Sequence, residues 1–241
     1  RVVGIGAETR QIALYFAEKL VRQYRGTPFE AALVSAFRKI QDLLPPDVRV
    51  SPDSLDGYLS LDLGPLYAPD AAIFRDLLTA RRLKRKAVVR YRSLSSNRTS
   101  ERRLHPYHVF NHRGDWYVAA FDEARAALRL FALHRIRGLT VTTEPFAIPR
   151  DFSFRKYMAA AFGVQQGGRP VEVLVRFAPR QARWIRERKW HRTARIQEEL
   201  DGGLVLRLQI AETSEIKRWV LQFGSEAEVL RPASLRRAVA E

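Results

Sequence analysis

Apolar residues recur at helical spacing near the start of the chain, and from Ala87 onward the spacing drops to two. Ile12, Tyr15, Phe16, Leu20 and Val21 predict an amphipathic helix over 11–21. Leu33, Phe37, Ile40 and Leu44 mark one face of a second helix. Thr27-Pro28-Phe29-Glu30 gives that helix a capping-box spacing with proline at its first position, and Pro45-Pro46 stops it. The stretch from Asp47 to Pro69 has little periodicity and reads as a connector, with one strand around Gly57 to Leu63. Asp70 then caps a helix reaching about Lys84, with Ile73, Leu77, Leu78 and Leu83 turned to a core. The basic run Arg81 to Lys86 complements the carbonyl end of that helix.

Five short strands follow, over Val88–Tyr91, Arg102–Phe110, Asp115–Phe121, Leu128–Ile136 and Leu139–Thr143, separated by turn signals such as Ser95-Ser96-Asn97 and His112-Arg113-Gly114. One helix with five closely spaced strands predicts a small, strongly bent sheet or barrel. A break over Pro145 to Pro170 precedes a second unit. There Val171, Val173, Val175 and Phe177 alternate with Glu172, Leu174 and Arg176, and Leu204, Leu206, Leu208 and Ile210 alternate in the same way. A helix near Pro179 to Lys189 and a strand near Thr193 to Gln197 lie between those two strands. A helix marked by Ile216, Trp219, Val220 and Phe223, a strand over Ala227–Leu230 and a terminal helix from Pro232 follow them. That order is the ferredoxin-like split pattern. The predicted class is α+β.

The 241 residues hold 42 Lys and Arg against 26 Asp and Glu, a formal net charge of +16. A field of that sign attracts nucleic acid, anionic membrane or acidic partners. The charge is patchy: Arg75 to His108 has eleven basic residues and two acidic ones, while Ser51 to Phe74 has four acidic residues and no basic one. With no cysteine there is no disulfide, thiolate metal site or cysteine nucleophile, which fits a reducing cytoplasm. No apolar run reaches the length of a membrane span, and no membrane partner is expected.

Catalytic chemistry finds little support. His105, His108 and His112 suggest a metal, but residues three apart on a strand point to opposite faces, and no carboxylate stands at ligand spacing. No nucleophile elbow occurs, and Gly4-Ile5-Gly6 lacks the third glycine and preceding strand of a phosphate loop. Neither an enzyme nor a cofactor is expected. Binding is better supported. Arg102 to Ile136 interleaves aromatic rings with guanidinium groups, which suits a phosphate-bearing ligand. Trp116 and Tyr117 point to opposite faces of their strand, so one ring packs and the other is available. On an unbulged strand Arg129 and Arg135 share a face about 20 Å apart, too far to grip one phosphate.

Three segments, in order and at matching spacing, resemble the WYL domain of bacterial transcriptional regulators. They are Arg102-x-Leu104-x-Pro106-Tyr107-His108, Asp115-Trp116-Tyr117-Val118 and Arg129-x-Phe131-Ala132-Leu133-His134-Arg135-Ile136. Phe146-x-x-Pro149 with Asp151-Phe152, Lys189-Trp190-His191, and Trp219 to Gly224 through Leu230-Arg231-Pro232 resemble the C-terminal extension that follows that domain. Val118 stands where leucine is usual. The resemblance implies a helical connector over 1–64, an Sm/SH3-like barrel over 65–150, a linker over 151–169 and a ferredoxin-like extension over 170–241. It also implies a ligand pocket formed by Tyr117, Arg129, Arg135, His108, Ser93 and Arg102. The ligand would be a single-stranded nucleic acid or nucleotide-like anion, and the protein a homodimer that passes the signal to promoter DNA through a helix-turn-helix absent from these residues. The rival reading is a protein-interaction module whose Trp116 and Tyr117 are simply core.

Overall fold

The computed structural model describes residues 7–45, 67, 69–94 and 96–241. They form two compact units, Arg1–Ile148 and Pro149–Glu241, each with its own core. The strand expected around Gly57 to Leu63 lies outside the described residues.

Helix α1 spans Ala7–Val21 and α2 spans Glu30–Asp42. The second helix starts later than its capping signal predicts. Thr27 Oγ1 donates to the Tyr24 carbonyl and accepts from Phe29 N–H, and the Glu30 carboxylate reaches back to Gly26 N–H at 2.8 Å. The polar side chains therefore build a turn ahead of the helix, and Pro28 lies before its first turn. Helix α2 also ends at Asp42, short of the proline pair. Tyr24 and Phe29, between the helices, touch Trp116 and Phe74, with ring centroids 5.8 Å apart in each pair.

Helix α3, Ala71–Leu83, begins as its sequence predicts: Asp70 Oδ1 accepts from Ala72 N–H at 2.8 Å and from Ile73 N–H at 3.2 Å. It ends at Lys84, which adopts a left-handed conformation with φ +51°. Strands β1 (Arg85–Arg92), β2 (Thr99–His112), β3 (Asp115–Asp122), β4 (Ala127–Ala132) and β5 (Ile136–Pro145) form one antiparallel sheet, ordered β4-β3-β2-β1-β5. Phe74, Leu77 and Ala80 of α3 bury against Ala87, Val89, Leu104, Val118, Ala120 and Phe131 on one face of that sheet.

Two expectations are corrected in this unit. The strand predicted over Leu128–Ile136 breaks after Ala132, where Leu133–Arg135 turns as a 3-10 helix. Phe131 and Leu133 are both buried, so an apolar alternation runs straight through the bend and hides it. The barrel is also not closed by hydrogen bonding. Strands β4 and β5 are the two edges, with no ladder between them among the described residues. The sheet instead curls until Tyr91 of β1 reaches β4, where its hydroxyl accepts from Ala132 N–H at 3.3 Å and its ring meets Phe131 edge-on at 5.0 Å. Part of the bend originates in β2. Pro106 lacks an N–H for the ladder, and the register slips between Pro106 and His108, leaving Tyr107 bulged. The freed Tyr107 carbonyl accepts from Arg81 Nε of α3.

The second unit opens with short helix α4 (Phe154–Tyr157), followed by β6 (Val171–Phe177), α5 (Pro179–Arg186), β7 (Arg195–Glu198), β8 (Leu204–Ile210), α6 (Ser214–Leu221), β9 (Ala227–Arg231) and α7 (Ala233–Ala240). Its sheet is antiparallel throughout, ordered β7-β8-β6-β9. Val173, Val175 and Phe177 alternate inward with Leu204, Leu206, Leu208 and Ile210 and pack against Ala182, Ile185, Ile216, Val220 and Leu235 of the helices. The segment ahead of β6 is fastened to this core: the Glu215 carboxylate accepts from the N–H groups of Gly163, Val164 and Gln165 at 2.9–3.1 Å.

Candidate ligand cleft

The six residues expected to form one pocket are distributed over different parts of the first unit. Tyr117 pairs with Phe110 on one side and Ala132 on the other, on the sheet face opposite the core, and its ring stacks on Phe110 at 5.6 Å. His108, paired with Ala119, shares that outer face, and its ring lies 6.5 Å from Phe110. Burial, then the Arg81 charge, holds the His108 imidazole below its ordinary pKa. Arg129 pairs with Ala120, a core residue, so it lies on the inner face at the exposed β4 edge. Arg102 turns to the buried Asp122, with Nη1 at 3.7 Å from Oδ2. Ser93 lies just past β1, where its N–H donates to the Arg98 carbonyl, and Arg135 lies in the 3-10 turn.

Much of the basic run between Arg81 and Arg103 is also engaged internally. Arg85 donates to the Thr143 carbonyl and Arg90 to that of Arg137. Lys86 meets Glu123 at 2.7 Å and Glu144 at 3.2 Å, and those hydrogen bonds raise its pKa. Arg103 bridges to Glu144 as well. These cations tie strand to strand, and part of the remaining charge, Arg92 included, gathers at one site.

That site is a cleft of about 730 Å³ at the end of the sheet. Three distant segments build its walls. Tyr67, Pro69, Asp70 and Ile73 come from the start of α3, Arg92 and Leu94 from the end of β1, and Leu133 to Arg137 from the 3-10 turn and the first residues of β5, with Asp115 of β3 beside them. Among the described residues neither the Arg135 nor the Arg137 guanidinium has an ion-pair partner, and Arg92 only donates to Asn97 Oδ1 at 3.0 Å. The Asp70 carboxylate is committed to capping α3, which leaves Asp115 as the remaining acid of the wall.

The cleft also has a ring pair and two unsatisfied polar atoms. His134 stacks on Tyr67, with centroids 4.4 Å apart and planes 14° from parallel. Burial, then the Arg135 charge, holds His134 below its ordinary pKa, against an upward pull from Asp115. His134 Nδ1 and Asp115 Oδ1 are buried without a hydrogen-bond partner, a condition costing about 1–3 kcal/mol for each such group. Three guanidinium groups suit a phosphate or other oxyanion. A flat ring pair beside them suits a planar group, and the two unsatisfied atoms suit a polar one. Of the residues expected from sequence, Arg135 lines this cleft and Ser93 lies between its wall residues Arg92 and Leu94, whereas Tyr67, Arg92, Asp115, His134 and Arg137 were not singled out. Only the adjacency of His134 to Arg135 in the quoted motif pointed that way.

The WYL domain family matches residues 72–141 and the WCX domain family residues 169–241. Protein PafB of Mycobacterium tuberculosis and of Mycobacterium bovis is 28% identical over 151 residues, 61% of this chain. The chain spans less than half of that relative's length, the matched part being 44% of it. Among solved structures, proteasome accessory factor B/C (PafBC) of Arthrobacter aurescens is 21% identical with a TM-score of 0.37, covering 98% of this chain and 34% of the other. A CRISPR Cas-related protein is 12% identical with a TM-score of 0.49, covering 70% of this chain and 48% of the other.

Proposed function

Because this chain belongs to the WYL-domain family, with a WCX domain following in sequence, we propose that it is the effector-sensing part of a transcriptional regulator. The effector is a phosphate-bearing anion, either a single-stranded nucleic acid or a nucleotide. The observation that carries this reading is the convergence of Arg92, Arg135 and Arg137 on one cleft beside the stacked Tyr67 and His134. Of the residues expected from sequence, Arg135 and Ser93 belong to this site or its margin. Tyr117 and His108 offer the outer face as a further contact for a longer strand, while Arg129 stands at the β4 rim and Arg102 orients Asp122.

The cleft adjoins the helices that lead into the sheet. Asp115 lines it, and the next residue, Trp116, meets Tyr24 and Phe74 at ring distances of 5.8 and 4.9 Å. Effector binding at Asp115 is thereby linked to the packing of the N-terminal helices. In the regulator we envisage, those helices lead to a DNA-reading helix-turn-helix of a homodimer, and the second unit has the ferredoxin-like arrangement. The test is fluorescence anisotropy of short labelled single-stranded DNA and RNA at two salt concentrations. Saturable, salt-weakened binding that is markedly weakened in Arg135→Gln/Arg137→Gln supports the sensor. Salt-independent or unaltered binding sinks it and favours a protein-interaction module.

A further inference from the structure

The sheet of the second unit has helices on one face only, and the other face carries a row of arginines that the cleft does not involve. Strand register sets Arg195, Arg207, Leu174 and Arg231 side by side across β7, β8, β6 and β9. Their neighbours along the strands, Val173, Val175, Leu206 and Leu208, are buried against the helices, so this row points away from them. With strands about 4.8 Å apart the row is about 14 Å long.

Arg195 stands directly opposite Arg207. Like charges in that position destabilise a sheet, so folding alone gives no reason for the pair. One carboxylate serves the row: Glu172 accepts from Arg207 and lies 3.6 Å from Arg231. Arg195 has no ion-pair partner among the described residues. The row borders an open concavity of about 850 Å³, to which Gln197 and Gln209 add hydrogen-bonding amides and no aromatic side chain contributes.

We infer that this face binds the sugar-phosphate backbone of single-stranded nucleic acid without reading its bases. Guanidinium forks match phosphate oxygens, and amide side chains supply the accompanying hydrogen bonds. Four-stranded sheets that read bases do so with aromatic platforms, and this face has none. An acidic peptide is less well suited. Tight protein partners insert anchors into desolvated pockets, whereas the apolar positions here, Leu174, Ile196, Val205 and Leu230, form part of a wide, open surface.

The test uses the full chain carrying Arg135→Gln and Arg137→Gln, so that loss of the cleft and loss of this face are read separately. Fluorescence anisotropy of labelled 20-mers of dT and dA is followed against salt, with Arg195→Gln and then Arg195→Gln/Arg231→Gln added. Both side chains are exposed, so thermal unfolding serves as the control for folding. The expected result is weaker binding at each step, with the slope of log affinity against log salt shallower by about 0.7 per arginine removed. The two homopolymers are expected to bind within about two-fold of each other. Unchanged affinity and slope in the double variant overturn the inference, as does absence of binding at low salt before Arg195 is replaced. Tighter binding of poly-glutamate than of either oligonucleotide overturns it in favour of an acidic peptide.

Discussion

Tyr117 and Arg129 lie on neighbouring strands but on opposite faces of one sheet: Tyr117 is paired with Ala132, and Arg129 with the core residue Ala120. A small ligand cannot touch both unless the sheet opens. Arg135, beyond the bend after Ala132, lines the cleft with Arg92 and Arg137. Replacing Arg135 by alanine should therefore weaken binding of a short oligonucleotide about ten-fold, the equivalent of one charge-assisted hydrogen bond. Replacing Arg129 should change it less than about two-fold. Anisotropy titrations of the two variants at one salt concentration decide, and equal losses would restore Arg129 to the site.

Arg102 is expected to matter for stability before it matters for binding. Its guanidinium faces Asp122, a buried carboxylate that also accepts from Ala124 N–H at 3.0 Å. Removing the cation leaves that charge poorly compensated, at a cost of about 1–3 kcal/mol. Urea unfolding of Arg102→Ala should show a lower midpoint, and Arg102→Ala/Asp122→Asn should recover part of it. A midpoint equal to that of the parent would assign Arg102 to the ligand.

The same contrast shows what was legible in the sequence. Local signals held where one residue acts on its immediate neighbours. The Asp70 cap lies where it was expected, and the alternations in β6 and β8 are buried and exposed as written except at Val171, which is exposed at the start of β6. The bend at Leu133 escaped because a buried turn residue continues the parity of Phe131. The bulge at Tyr107 follows from Pro106, but the partner of its freed carbonyl, Arg81, is 26 residues away. The cleft escaped for the same reason, since residues near 67–73, 92–94, 115 and 133–137 meet only after the sheet has curled. Five basic residues among the six from Arg81 to Lys86 say little about exposure when other segments supply Glu123 and Glu144.

Glu215 should hold residues 163–165 to the second unit through its charge. Its carboxylate accepts from three consecutive backbone N–H groups, and a Cβ added at Gly163 would lie 2.7 Å from Oε1. Glu215→Ala leaves those donors without their acceptor and should cost about 3 kcal/mol. Gly163→Ala displaces the carboxylate and should cost about 1–2 kcal/mol. Hydrogen exchange of the three amides checks both. Protection unchanged in Glu215→Ala would show that the segment is held by Phe162 packing on Trp219 instead.

Falling pH should weaken the fold and strengthen the cleft. Burial is the first cause holding His108, His134 and His191 below the ordinary imidazole pKa of 6.5. Between that value and the lower folded ones the unfolded chain takes up protons that the folded chain refuses. The stability present above about pH 6.5 is therefore lost progressively as pH falls through the folded pKa values. Unfolding midpoints at pH 7.5 and 5.5 should show the decline, and His191→Asn should lessen it, because that ring is buried against Thr193 with Nδ1 2.7 Å from Oγ1. Binding runs the other way. Protonating His134 adds a positive charge beside Arg135 and Arg137, so a bound phosphate raises the His134 pKa and affinity for it rises as pH falls over the same window. His134→Asn should flatten that rise while leaving the decline contributed by His191 in place. If affinity follows stability downward in the parent protein, the anion is not bound beside His134.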